Sequence, residues 1–263
     1  MIYNAAMFRL WREVRFALNP QPDDQLRQPP ANSFAGFPTP TTLGPYLRLQ
    51  VAVSGQPDAA SAYLMNIKDI DQTVRQKAIP LAAKLTRQGQ TPEAILLRFF
   101  DTLRDQLPLS LDRLRLCLNP FLSVSLFAQE HPMIRLSQKF EFCASHRLHN
   151  PALSDEENRR LFGKCNNPHG HNYVLEVTLT TRSDDRVLPL PEFERLVTAT
   201  VIEPLDHKNL NLEVPQFQHL NPTVENIAMV IYRMLQPEFH AAQATLAAVT
   251  VWETSKTWCE YSE

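Results

Sequence analysis

Three histidines have the residue type and the spacing of a metal site. His169 and His171 are separated by Gly170 at the start of a segment in which apolar and polar residues alternate. Strand geometry places both imidazoles on one face, and we expect Gly170 to leave room between them for a metal ion. His146 ends the preceding predicted strand. If the two strands pair, three neutral imidazoles converge and leave a fourth position open, as in catalytic zinc sites.

A comparison within the chain favours a metal site over histidines that merely face solvent or form ordinary hydrogen bonds. Residues near Phe8 and Val51 match residues near Ile134 and Val177 at a constant shift of 126 positions, which predicts a tandem duplication. The positions that correspond to the three histidines are occupied by residues without metal-binding side chains: Pro20, Leu43 and Pro45. Joint loss is expected when three residues form one site.

A thiol, a carboxylate and a fourth imidazole could supply acid–base chemistry. Cys165 lies just before His169, where a nearby cation would favour the thiolate, the form that acts as a base. Asp206 directly precedes His207, and adjacent side chains seldom face each other, so Asp206 could orient His207 through the backbone turn or act on another group. The alternatives are an inert cysteine and a solvated surface pair. The remaining cysteines fall in predicted strands and are expected to be inert: Cys117, Cys143 and Cys259.

Two carboxylates and a hydroxyl are candidate ligand-binding groups. Glu253 ends an apolar predicted strand, where burying a carboxylate is costly unless it is paired. A planar ligand with two parallel N–H donors would satisfy both of its oxygens. Thr223 and Glu225 open a predicted helix, and the helix dipole alone would favour Glu225 there. Its counterpart Glu93 persists in the first half, which supports a structural role.

The elements that must position these residues follow the same order twice. Each half is predicted to be ββααββ, an α+β unit with an antiparallel sheet and two helices on one face. Open sheet edges invite pairing, so we expect a multi-unit barrel closed by the partner repeat, by other chains, or by both. The proline-rich segment 19–42 is predicted to be irregular. The predicted domains are 1–130, lacking metal-binding and catalytic residues, and 131–263, which contains them.

Composition and charge indicate which kinds of partner and which cellular location to expect. A formal charge of -2 gives no reason to expect nucleic acid or an anionic membrane. There is no apolar run long enough to span a membrane, the N-terminus lacks the plan of a signal peptide, and the four cysteines form no CxxC pair. We therefore expect a cytoplasmic protein whose partner is a small molecule or another copy of the chain.

Five motifs in the second half resemble, in order and spacing, the family of 6-pyruvoyltetrahydropterin and 6-carboxytetrahydropterin synthases. They are F-x-A-S-H-R-L, G-K-C-N-N-P-H-G-H-N-Y, P-L-D-H-K-N-L-N, P-T-x-E-N and V-x-E-T. The resemblance implies a T-fold (tunnelling fold) unit, a zinc-dependent lyase that acts on 7,8-dihydroneopterin triphosphate and releases triphosphate. The first half resembles the family only through its similarity to the second half.

The resemblance also implies roles for individual residues. Zinc would be bound by His146, His169 and His171. The proton-abstracting base would be Cys165, completed as a triad by Asp206 and His207. The pterin ring would be anchored by Glu253, with Thr223 and Glu225 as further pocket residues. The motifs do not identify the residues that bind the triphosphate, and the basic residues considered for this role are Arg147, Lys164 and Lys208.

The motifs bear on two further questions, which pterin is the product and how the chains assemble. Three residues separate Cys165 from His169, and this shorter spacing resembles that of the carboxy synthases that serve queuosine synthesis. The residues around Cys165 instead resemble those of the pyruvoyl synthases. In this family the cysteine and the Asp-His pair come from neighbouring units, and only the second half retains either. We therefore expect catalytic halves to contact one another in a homotrimer of tandem chains with three sites. The alternative function is a non-catalytic pterin-binding or scaffolding protein.

Overall fold

The computed structural model describes residues 7–19, 34–182 and 188–263. The chain divides into two compact units, one that runs to Leu136 and takes in Arg182, and one that begins at Ser137. The division falls a few residues beyond the predicted boundary. Pro20 and most of the proline-rich segment lie outside the described residues, so the expectations made for them stay predictions.

The first unit has the predicted order of two strands, a helical region and two strands. The strands β1, β2, β3 and β4 span Phe8–Ala17, Tyr46–Gly55, Ser110–Cys117 and Leu122–Phe127. The helices α1, α2 and α3 span Ile67–Thr73, Ile79–Arg87 and Pro92–Arg104, with a π-helical turn at Val74–Ala78 and a 3₁₀ turn at Ala128–Glu130. Consecutive strands pair antiparallel in the order β1-β2-β3-β4.

Period-two burial explains the core of this first sheet. Leu49 and Val51 on β2 and Leu114 on β3 are fully buried. Gln50, between the first two, and the two neighbours of Leu114 on its strand are partly exposed. Helix α3 buries Leu96 and Phe99 at helical spacing, and α3 contacts β3 and β4. The apolar face of the helix therefore covers one face of the sheet, as predicted for an α+β unit.

The second unit contains a sheet with the order β5-β6-β8-β9. These strands span Met133–His146, His169–Arg182, Thr245–Thr254 and Thr257–Tyr261. The pairs β6–β8 and β8–β9 are antiparallel. A two-residue strand that the sequence did not predict, β7 at Lys208–Asn209, runs parallel to β5 opposite Ala144 and Ser145.

The described residues of the second unit include five helices, of which α5 and α8 are the two that the sequence predicts. The helices α4, α5, α6, α7 and α8 span Asp155–Phe162, Leu190–Val197, Glu203–Leu205, Leu210–Glu213 and Val224–Ala241. Between α5 and α6 lies a π-helical turn at Thr198–Ile202, and 3₁₀ turns occupy Gly163–Asn166 and Pro215–Phe217. Among the described helices, none combines the length and the apolar character required to cross a membrane.

Alternation along β5 and β6 directs the chemically interesting residues inward. On β5 the buried set includes Phe142, Ala144 and His146, and on β6 it continues from Tyr173 to Leu175. The stacked rings of Phe142 and Tyr173, 4.9 Å apart, join the two strands beneath the strand ends. The inward face of both strands is therefore apolar at its centre and polar at one end.

A fully buried asparagine organises the segment between β5 and β6. The side-chain Nδ2 of Asn158, on α4, donates to the backbone carbonyls of Asn150, Leu153 and Ser154 at 2.9, 3.1 and 3.0 Å, and its Oδ1 accepts from the N–H of Asn150. Helix α4 itself begins with a capping box between Ser154 and Glu157. One side chain thus satisfies several backbone groups of an irregular segment.

Candidate metal centre

The three predicted metal ligands converge at the end of β5 and the start of β6. The ring centroids of His146 and His169 are 4.5 Å apart, and those of His171 lie 5.2 Å and 5.0 Å from them. One ligand atom from each ring lies within 4.8 Å of the others. Such a spacing is close enough for one divalent cation to bridge after small rotations of the rings. The predicted convergence of the three imidazoles is therefore observed.

Backbone carbonyls orient two of the rings. The Nδ1 of His146 lies 2.8 Å from the carbonyl oxygen of Pro222, and the Nδ1 of His169 lies 2.8 Å from that of Asn167. A carbonyl oxygen only accepts hydrogen bonds, so each Nδ1 must bear the proton and each Nε2 must present its lone pair. Metal-binding histidines commonly have this second interaction, which fixes both the tautomer and the orientation of the ring.

The third ring has an unsatisfied buried nitrogen. The Nε2 of His171 has no hydrogen-bond partner among the described residues, although it is buried. Burial lowers the pKa of both His146 and His171, which favours the neutral form that binds metal. A buried nitrogen without a hydrogen bond is costly, and coordination to a cation would satisfy it. The residues present therefore fit a bound metal ion.

Glu253 and Tyr173 line the inner side of the histidine cluster. Glu253 Oε1 lies 3.4 Å from the Nε2 atoms of both His146 and His171. The hydroxyl of Tyr173 lies 3.4 Å from His146 Nε2, and burial raises the pKa of Tyr173, so the phenol stays protonated. Glu253 thus lies beside the histidine cluster, and its role as the anchor of the pterin ring stays a prediction. Tyr173 was not predicted, although its position two residues after His171 on the same strand face would have indicated it.

The predicted reason for Gly170 is wrong. A side chain at Gly170 would meet the carbonyl oxygen of Ala144 at 3.2 Å, on the neighbouring strand. The missing side chain therefore allows β6 to approach the backbone of β5 closely, and does not open space between the two imidazoles. The close approach still serves the site, because it brings His169 and His171 near His146.

Asp206 and His207 face each other despite being adjacent in sequence. His207 Nδ1 lies 2.8 Å from Asp206 Oδ2, because the backbone of His207 adopts a left-handed conformation with φ of 58°. Asp206 Oδ1 also accepts from the N–H of Cys143 at 2.8 Å, and these hydrogen bonds lower the pKa of Asp206, that from Cys143 most. Of the two alternatives that the sequence left open for Asp206, the first is observed: the backbone turn at His207 lets this carboxylate hold the neighbouring imidazole.

The two thiols nearest this region are both exposed. Cys165 lies in the 3₁₀ turn before β6, and its carbonyl accepts from the N–H of Leu148 at 2.7 Å. Within the described part of the chain, no hydrogen bond joins Cys165 to Asp206 or His207. Cys143, expected to be an inert strand residue, is exposed beside Asp206, because it faces outward on β5.

The two further candidates lie at the start of α8. The hydroxyl of Thr223 accepts from the N–H of Asn226 at 3.3 Å and caps the helix. Glu225 is exposed in the first turn, where a carboxylate is favoured by the helix dipole. The carbonyl of Pro222, just before them, contacts His146 and was not predicted, since no side-chain pattern indicates a backbone acceptor.

Comparison with known proteins gives one consistent result for this unit. The sequence model of the family described as 6-pyruvoyl tetrahydropterin synthase matches residues 135–263. A human 6-pyruvoyl tetrahydrobiopterin synthase is 42% identical over 125 residues, which cover 46% of this chain and 85% of the human protein. A 6-carboxy-5,6,7,8-tetrahydropterin synthase of Haemophilus influenzae is 26% identical over 154 residues, which cover 50% of this chain and all of that protein.

A solved structure of a Caenorhabditis elegans 6-pyruvoyl tetrahydropterin synthase is 34% identical to the chain, with a TM-score of 0.47. The matched region covers 50% of this chain and 96% of the nematode protein. The match of the family model lies almost entirely in the unit that contains the histidine cluster, and the human relative is matched over most of its length. The chain therefore belongs to the 6-pyruvoyl tetrahydropterin synthase family of lyases.

Proposed function

We propose that the second unit is a zinc-dependent lyase that converts 7,8-dihydroneopterin triphosphate to a 6-substituted tetrahydropterin with release of triphosphate. The observation that carries the proposal is the histidine cluster, in which two rings are oriented by carbonyls and the third has a buried nitrogen that forms no hydrogen bond within the described residues. Three neutral imidazoles with an open fourth position are typical of catalytic rather than structural zinc. The relatives named as pterin synthases supply the substrate class.

In this proposal the metal is bound by His146, His169 and His171. When bound, zinc supplies Lewis-acid polarisation of the side-chain oxygens of the substrate. Glu253 accepts hydrogen bonds from the edge of the pterin ring, because it is the carboxylate nearest the cluster and is only partly exposed. Thr223 and Glu225 are further pocket residues, supported by their position next to the carbonyl that orients His146.

The acid–base groups are proposed to come from two copies of the chain. Cys165 is the proton-abstracting base, and Asp206 orients His207 for proton transfer at the same carbon. All three are accessible, and no hydrogen bond joins the thiol to the Asp–His pair within the described part of one chain. This geometry supports a triad completed by a neighbouring copy, and we propose a homotrimer of tandem chains with three sites.

Complementation between inactive variants tests the shared triad. Chains with Cys165→Ala and chains with Asp206→Asn should each be inactive alone. Randomly mixed oligomers should recover up to about a quarter of wild-type turnover, because one site in four combines an intact thiol with an intact Asp–His pair. Mixed oligomers that stay inactive, with their mixing shown by mass, would contradict the shared site.

The product is a pyruvoyl or a carboxy pterin, and the two kinds of relative favour different answers. Identity is higher to the human pyruvoyl synthase than to the bacterial carboxy synthase. The short spacing between Cys165 and His169 favours the carboxy product, and with it a role in queuosine synthesis. Incubating the full chain with dihydroneopterin triphosphate and zinc, followed by mass spectrometry of the pterin products, separates the two. A zinc-loaded chain that leaves the substrate unchanged would overturn the proposed activity.

A further inference from the structure

A second concave feature of the second unit lies beside the histidine cluster. It is a cavity of about 740 Å³, within the size range of small-molecule sites. Its walls include Arg147 and Pro168, which are the chain neighbours of His146 and His169. A third wall residue, Asn221, directly precedes the proline whose carbonyl orients His146. The cavity and the metal centre therefore share three backbone segments.

The lining of this cavity is poor in negative charge. It includes one arginine, two histidines, four asparagines and one glutamine, and none of its lining residues is an aspartate or a glutamate. The guanidinium of Arg147 is exposed and forms no hydrogen bond or ion pair within the described part of the chain. The backbone of Arg147 is nevertheless fixed, because its N–H and C=O both bond to the side chain of Asn211 at 2.8 and 3.1 Å. Arg147 therefore lines the cavity with an anchored backbone and with a guanidinium that has no counter-ion among the described residues.

Two of the four asparagines that line the cavity have an amide N–H group that is available as a donor. The Oδ1 of Asn221 accepts from the backbone N–H of His149 at 3.1 Å, and the Oδ1 of Asn209 accepts from the backbone N–H of Asn211 at 3.1 Å. A backbone N–H only donates, so these contacts fix which end of each amide is oxygen. The Nδ2 groups of Asn209 and Asn221 form no hydrogen bond within the described residues, which leaves them available to a ligand.

We propose that this cavity binds the triphosphate of the substrate, an inference that rests on the proposed function. A guanidinium and two amide donors, without a competing carboxylate, match a ligand with many acceptor oxygens and several negative charges. Of the three basic residues considered from the sequence, Arg147 is the one that lines the cavity, whereas Lys208 forms an ion pair with Glu213 at 3.3 Å. Arg147, Asn209 and Asn221 are thus the binding residues for the triphosphate that leaves.

Calorimetric titration with inorganic triphosphate tests the cavity separately from catalysis. The titration uses the full chain with His169→Ala, so that a bound metal does not account for the affinity. We expect Arg147→Gln in this background to raise the Kd at least about tenfold, the loss of one charge-assisted interaction. The matched control is Arg160→Gln on α4, an exposed arginine that does not line the cavity, and its Kd should be unchanged. No binding, or equal Kd values for both arginine variants, would overturn the assignment.

A second arm tests whether the cavity binds the substrate's own triphosphate. Inorganic triphosphate should inhibit turnover of the pterin substrate competitively, and Arg147→Gln should weaken this inhibition and raise KM. Non-competitive inhibition would show an anion site separate from the substrate and would contradict the proposal. A chain that binds triphosphate through Arg147 but does not convert the pterin would refute the proposed function while leaving the anion site intact.

Discussion

The two units share an element order but differ at the ends of their strands. Strand β6 begins at His169, whereas its counterpart β2 begins at Tyr46, a position that corresponds to Asn172 at the shift of 126. The strand of the second unit is thus longer at this end, and the additional residues contain both histidines. In the first unit the position that corresponds to His169 is Leu43, which is fully exposed and lies outside any strand.

The same contrast occurs after the first helical region. In both units a π-helical turn is followed by a proline and a leucine. In the first unit the helix continues through Ala82, which is buried. In the second unit the helix ends at Leu205, and the extended backbone of Asp206 leads into the left-handed His207. The sheets and helices of both units satisfy the same packing rules. The candidate metal-binding and acid–base residues of the second unit lie at the ends of its strands and helices.

Removing a buried ligand should have the largest effect on this contrast. His146→Ala deletes the most buried ring of the cluster and leaves the Pro222 carbonyl without its donor. We expect zinc content to fall to background and turnover to fall by at least about 10³-fold, since the remaining ligands do not form a catalytic site. Metal analysis measures the zinc content, and an activity assay measures the turnover. His240→Ala, an exposed histidine at the end of α8, is the control and should keep both values; equal zinc content in the two variants would contradict the assigned ligand.

Removing the thiol should affect turnover but not metal content. Cys165→Ser replaces the proposed base with a group that is much harder to ionise, and a fall of about 10²- to 10⁴-fold is expected for loss of general base catalysis. Cys143→Ser is a matched control, because that thiol is also exposed and lies beside Asp206. If Cys143→Ser abolishes turnover and Cys165→Ser does not, the roles of the two thiols are reversed.

Changing the left-handed residue separates conformation from chemistry. His207→Gly and His207→Ala both remove the imidazole, so we expect similar losses of turnover. The alanine variant should be less stable than the glycine variant by about 1 kcal/mol, because a side chain disfavours the left-handed conformation that glycine adopts freely. Urea unfolding of both variants measures the difference. Equal stability would show that this backbone conformation is absent in solution.

Comparing two helix caps should give the smallest effect and the finest distinction between the units. Thr223 in the second unit and Thr91 in the first accept an N–H in the same way, each at 3.3 Å. Each change to alanine should lower the free energy of unfolding by about 1 kcal/mol. Thr223→Ala should in addition raise KM, whereas Thr91→Ala should not. An equal KM in both variants would restrict Thr223 to its capping role.

Patterns with a regular period were sufficient to predict most of the sheet and the long helices. The alternation along β5 and β6 placed the three histidines on inward faces, and their convergence followed from strand pairing. The short elements escaped prediction because they follow from tertiary contacts. Strand β7 forms because its backbone pairs with β5, and this pairing places Asp206 beside Cys143. No local pattern of residues indicates that contact.

The features of the site that the sequence left open or misread have a common physical origin. The role of Gly170, the exposure of Cys143 and the choice between the two alternatives for Asp206 all depend on the backbone rather than on residue type. Side-chain chemistry identified which residues could act, and backbone conformation determined what they contact. The backbone partners of the histidines, including the carbonyl of Pro222, were invisible to sequence patterns for the same reason.

The buried Asn158 has a consequence for the entropy of ligand binding. Its four hydrogen bonds fix the segment around Asn150, and Asn150 forms part of the wall of the cavity beside the metal centre. Ordering a flexible segment costs about 1–2 kcal/mol per residue in backbone conformational entropy. Because Asn158 orders this segment when the chain folds, the conformational entropy is lost on folding and not on ligand binding. The segment is therefore pre-organised for a ligand.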